Sequence, residues 1–297
     1  MLKHIGDVTL PAHGSGGFDH ADVYLPSGRV FVAHTANGTV DVIDGEHLRH
    51  EKTVEGCPEA SGVLCAQEEG LVFAAARGAG KILTLDATSL DLVRESQAGT
   101  KPNGLAWDSK RKRLLVADVS DESARLLDPS NGKVLLTRKL DGRPRWCVYD
   151  EIGDRFLINV KEPAIVGVLK AETLEQSSSI HVKTAGPHGL AIDEVGHAYV
   201  ACDGKALVIL DLTRGSQQTV IPIAGSPDVI WYNIRRQAIY CAAGDPGILE
   251  VIDTRARRIV QRLDTEEGAH TFGFDQVRQR LYTLLPKSCR ARVYEEA

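Results

Sequence analysis

Short alternating or β-branched apolar runs recur along the whole chain, set apart by Gly, Pro, Asn and Asp. Arg29-Val-Phe-Val-Ala33, Arg113-Leu-Leu-Val-Ala117 and Ala238-Ile-Tyr-Cys-Ala242 are of this kind. They are too short for helices and read as strands bounded by tight turns. A second set follows them: Gly38-Thr-Val-Asp-Val-Ile-Asp44, Lys81-Ile-Leu-Thr-Leu-Asp86, Arg125-Leu-Leu-Asp128, Ile165-Val-Gly-Val-Leu-Lys170, Ala206-Leu-Val-Ile-Leu-Asp211, Leu249-Glu-Val-Ile-Asp253 and Ala291-Arg-Val-Tyr294. Their last residues stand at 44, 86, 128, 170, 211, 253 and 294, so the spacing is 41 or 42 residues throughout.

Seven copies of one such period predict an all-β, seven-bladed β-propeller with four antiparallel strands per blade. Each copy opens on a small or apolar run, such as Asn103-Gly-Leu-Ala-Trp-Asp108 or His188-Gly-Leu-Ala-Ile-Asp193, which serves as the inner strand A. Strands B and C are the two sets above, and a polar outer strand D such as Ser178-Ser-Ile-His-Val-Lys183 completes the blade. The Asp that ends strand C accepts backbone N–H bonds in the turn that follows, a structural role. The seventh copy stops after strand C, so residues 2–10 are predicted to supply its outer strand, and residues 1–297 form a single domain.

The fold places function at the loops leading into strand A, because those loops meet around one end of the central channel. Equivalent positions read His20, Ser61 (with Glu59 nearby), Asn103, Arg145, His188, Asp228 and His270. Four share a proline lead: Lys101-Pro-Asn, Arg143-Pro-Arg, Gly186-Pro-His and Ser226-Pro-Asp. Proline fixes φ and presents the next side chain from a rigid corner. His20, His188, His270, Asp228 and Glu59 form one arc, and imidazole and carboxylate in that number are the ligand set of a divalent transition metal: Zn, Fe, Mn, Ni or Cu. Asn103 and Arg145 stand across from them to orient a carboxylate or phosphate. Loops between strands B and C add His34 and Arg77 to the substrate side, with Asp118, Lys161, Asp203, Asp245 and Lys287. His13, in the Gly-rich lead His13-Gly-Ser-Gly-Gly-Phe-Asp19, is placed to fold over the mouth.

Charge and cysteine usage narrow the partners. A net charge of -5 without a basic stripe argues against nucleic acid. No signal-peptide core or membrane-length apolar run is present, which predicts a cytoplasmic protein without a membrane partner. The cysteines at 57, 65, 147, 202, 241 and 289 form no C-x-x-C pair and read as reduced thiols, with the reactivity of Cys57 left open by its spacing. The G-x-S-x-G, P-loop, Rossmann and H-E-x-x-H motifs are absent, so chemistry would run through the metal as Lewis acid or water activator, with metal-bound water or one carboxylate, Asp228 or Glu59, as the base.

The repeats Arg29-Val-Phe-Val-Ala-His-Thr-Ala-Asn-Gly-Thr-Val-Asp-Val-Ile-Asp44 and Arg280-Leu-Tyr282 resemble those of the YVTN-type, YncE-like β-propellers over essentially the whole chain. Lys101-Pro-Asn-Gly-Leu-Ala-Trp107 is similar to the Asn-Gly-Leu segment of SMP-30/gluconolactonase-like hydrolases, which implies Asn103 and Glu59 as ligands, although those enzymes have six blades and an Asp where His188 stands. The virginiamycin B lyase-like propellers are similar in blade count and in using a His near a metal, the part His270 would take. These resemblances imply metal-dependent lactone or ester hydrolysis, or elimination, on a small polar or anionic molecule. The alternative class is a scaffold that docks a protein partner or ligand without chemistry.

Overall fold

The computed structural model of the chain describes residues 1–296, and the strands follow the repeat. Seven four-stranded antiparallel sheets make up the ring. Blades 1 to 6 occupy residues 21–54, 60–97, 102–139, 144–181, 187–222 and 225–264 in turn, and blade 7 takes residues 272–296 together with Leu2–Thr9. The N-terminal strand pairs with Arg290–Glu296 from Leu2 opposite Glu296 to Thr9 opposite Arg290. The Leu10 amide donates to the Cys289 carbonyl at 2.9 Å beyond the strand end. Ring closure therefore comes from the N-terminal segment, as the unfinished seventh repeat predicts. Full closure leaves only the outer strands as edges.

Strands B and C are buried on both faces because each sheet is sandwiched between its neighbours. Phe31, Phe73, Phe156, Tyr240 and Tyr282 are the large side chains that fill these gaps. Outer strands alternate weakly and are largely exposed, Lys133–Lys139 entirely so. The strand C aspartates hold the following turns: Asp86 accepts from the Thr88 and Ser89 amides at 2.8 and 2.7 Å, and Asp253 from Arg255 and Ala256 at 2.9 and 2.7 Å.

A β-bulge interrupts strand A at the channel mouth in five blades. Pairing slips between Pro102 and Leu105, Pro144 and Cys147, Pro187 and Leu190, Pro227 and Ile230, and Ala60 and Val63. An extra residue bends the strand and re-aims its side chain. In four of these bulges proline is the residue just before the ring position, where its missing N–H costs no ladder bond. Glycine follows because the next blade's backbone arrives there: a Cβ on Gly104 would meet the Arg145 carbonyl, and one on Gly189 the Asp228 carbonyl. No helix among the described residues is long and apolar enough to cross a membrane.

Candidate functional site

Asp228, on the bulge of blade 6, is the centre of the mouth. His188 from blade 5 donates through Nε2 to its Oδ1 at 2.9 Å, His20 from blade 1 stands 4.0 Å from the same oxygen, and His270 from blade 7 is 3.7 Å from Oδ2. These contacts carry a wider charge network. His188 Nδ1 lies 3.1 Å from Asp203, which also pairs with Lys161 at 3.0 Å. On the other side His20 lies 3.1 Å from Asp19, Asp19 lies 3.6 Å from Arg77, and Arg77 and Lys101 each lie 3.5 Å from Glu59. Acid and base thus alternate around the rim.

The shared protons set the electrostatics. Burial opposes charge on His188, but the Asp228 carboxylate, with hydrogen bonds to Asp203 and Asp228, outweighs it and pushes the imidazole pKa up to about 9. His188 is therefore an imidazolium at neutral pH, with both nitrogens facing carboxylates. Burial likewise opposes charge on Asp228, yet His188, His20 and His270 hold it well below the ordinary carboxylate range. The His188 hydrogen bond, followed by Lys161, brings Asp203 down to about 2. Arg145 is the exception: burial lowers its pKa, Arg143 adds to that, and Asp228, Asp203 and Asp19 pull the other way without contact. Its Nε is buried without a hydrogen-bond partner.

His270 has a different character from His188. Its Nδ1–H donates to the Gly268 carbonyl at 2.6 Å, which fixes the ring and turns Nε2 toward Asp228. His188, Asp203, Asp228 and His270 line one open cavity of about 560 Å³.

The remaining ring residues fall as follows. Asn103 is buried and accepts from Arg77 Nη1 at 3.5 Å. Glu59 is half-exposed at the rim, held by Arg77 and Lys101 and not by the histidines. His34 is fully buried between Asp41 (Nδ1 to Oδ2, 2.7 Å) and His13 (Nε2 to Nδ1, 2.6 Å). His13 also reaches the Pro286 carbonyl at 2.9 Å and packs edge-on against Phe18, so it staples the N-terminal lead to blades 7 and 1. Five cysteines are buried, and burial pushes the Cys57 thiol up to about 12, which leaves it inert at neutral pH.

Asp19 is the site residue that ring equivalence overlooked. One ligand atom each from Asp19, His20 and Asp228 lies within 4.8 Å of the other two, the one such group of three among the described residues. The available signal was the Asp19-His20 pair at the strand A entry, where four other blades carry a proline. No protein-family model matches the chain, and no curated protein matches it.

Proposed function

We propose that the propeller mouth is a metal-dependent site for a small polar or anionic molecule, with Asp19, His20 and Asp228 as the metal ligands. The observation that carries this reading is the convergence of His20, His188 and His270, from three blades, on the Asp228 carboxylate of a fourth. The donor set fits a divalent cation. Bonds of about 2.1 Å at tetrahedral angles separate ligand atoms by roughly 3.4 Å, and the His20 nitrogen stands 3.1 and 4.0 Å from Asp19 and Asp228. Two carboxylates and one imidazole suit Zn, Fe or Mn.

Such a cation, when bound, would act as a Lewis acid on a carbonyl or phosphoryl oxygen. Around it, His188 clamps and orients Asp228, Arg145 offers an unused N–H to an anionic group, and His270 presents Nε2 as a general base. Asn103 and Arg77 border the substrate space, and Glu59 holds Arg77. This arrangement favours lactone or ester hydrolysis or an elimination. The repeat grammar supports a YVTN-type, YncE-like ancestry, and six unpaired cysteines support a reducing, cytoplasmic compartment.

A second reading, a protein-docking scaffold, is favoured by the outer edge of blades 2 and 3. Val134, Leu135 and Leu136 are exposed on one outer strand, with Leu92 and Val93 exposed on its neighbour. An apolar sheet edge of that kind recruits another strand.

Elemental analysis of the untagged protein, beside Asp228→Asn and His20→Ala, decides between the readings. Near one equivalent of metal in the wild type, lost in both variants, is the expected result. A metal-free wild type that cannot be reloaded overturns the metal site and leaves the scaffold.

A further inference from the structure

The inner strands enclose an apolar channel of about 310 Å³, and all three tryptophans of the chain line it. Trp107, Trp146 and Trp231 come from blades 3, 4 and 6, joined by Tyr149 and by Phe274 of blade 7. At one end Trp146 packs on His20, ring centroids 4.3 Å apart, and of the charge network at the mouth only His20 reaches the channel lining.

One carboxylate stands in this wall. Asp22, on the inner strand Ala21–Tyr24, accepts the Val23 amide on Oδ1 at 2.8 Å and the Cys65 amide on Oδ2 at 2.7 Å. No ion pair to it exists among the described residues, and the lining contains no lysine, arginine or second carboxylate. Each oxygen keeps acceptor capacity after one amide bond. A carboxylate left in apolar surroundings without a counter-ion is unfavourable, whereas aromatic faces attract cations. The wall is therefore complementary to a molecule that is apolar over most of its surface and positively charged at one end. Its volume is that of a small ligand site, at the lower limit of about 300 Å³.

We infer that the channel is a second ligand site, which takes a small aromatic ammonium ion with its cationic head against Asp22 and its ring among the tryptophans. Nothing in this assignment depends on a metal at the mouth.

Because every tryptophan lines the channel, intrinsic fluorescence reads its occupancy directly. Phenethylammonium should give a saturable change at neutral pH. The neutral alcohol 2-phenylethanol should bind at least ~10-fold more weakly, the equivalent of about 1.4 kcal/mol, and the anion 3-phenylpropionate should not bind. Asp22→Asn should bring phenethylammonium down to the affinity of the alcohol and leave the alcohol unchanged. No saturable change, equal affinity for amine and alcohol, or amine binding indifferent to Asp22→Asn would each overturn the inference. The amine and alcohol comparison uses the wild type, so it stands even where the variant fails to fold.

Discussion

His188 and Asp228, on successive blades, share a proton across 2.9 Å at the ring of strand A entries. The pair joins two blades that share no ladder hydrogen bonds. It also gives the mouth its polarity, because a partly buried imidazolium and carboxylate each favour the other's ionised form.

That coupling makes stability depend on pH in a defined direction. The folded pKa of His188, about 9, lies above its ordinary value of 6.5. Its contribution is therefore complete below pH 6.5 and is lost as pH rises through 9. The shift corresponds to roughly 3 kcal/mol. Chemical denaturation between pH 6 and 10 should show the wild type losing stability through this window. His188→Gln should start lower and run flatter; parallel curves would remove His188 as the source.

Arg145 carries an opposite expectation. Its guanidinium is half-buried with Nε unpartnered, and an unmet buried donor costs about 1–3 kcal/mol. Arg145→Met should hold stability or raise it by about 1 kcal/mol in anion-free buffer. Malonate should raise the Tm of the wild type and leave that of Arg145→Met unchanged. A destabilised variant together with a Tm still raised by malonate would show that the arginine serves the fold and not an anion.

Gly189 tests how the bulge builds the site. A Cβ there would press on the Asp228 carbonyl of the next blade, and relieving such a backbone contact costs about 1–3 kcal/mol. Gly189→Ala should therefore lower stability by that amount and displace Asp228 from His188, which abolishes the pH window described above. Gly215→Ala, on an outer turn with open space around it, is the control. At φ +62 it meets backbone strain but no neighbour, so its pH profile should match the wild type.

Much of the mouth was legible because its signals are local. Proline or glycine beside a polar residue marks the strand A bulge in five blades, and the position of that residue recurs with the period in all seven. Asn103, Arg145, His188 and Asp228 each follow a proline, whereas His20 and His270 are legible only from their place in the repeat. Glu59 and His34 depart from this pattern. Glu59 belongs to the same rim, but Arg77 and Lys101 hold it. His34 ends its strand B next to the repeat position that Arg77 holds in blade 2, yet its ring lies fully buried between Asp41 and His13. Equivalent positions share a backbone path; their side-chain directions follow from which partner completes the hydrogen bonds.

The sequence by itself determined the seven blades, their strand order, the closing N-terminal strand and the aspartate-held turns, since each depends on contacts within a repeat or on the absence of one strand. Tertiary structure alone decided the pairing of His188 with Asp228, the entry of Asp19 into the metal-competent triad, and the gathering of Trp107, Trp146 and Trp231 around Asp22. These meetings join residues about 40 to 210 positions apart in the chain. They arise only when the blades close into a ring, because closure brings the seven inner strands face to face and forces their charges and aromatic rings to find partners across the axis.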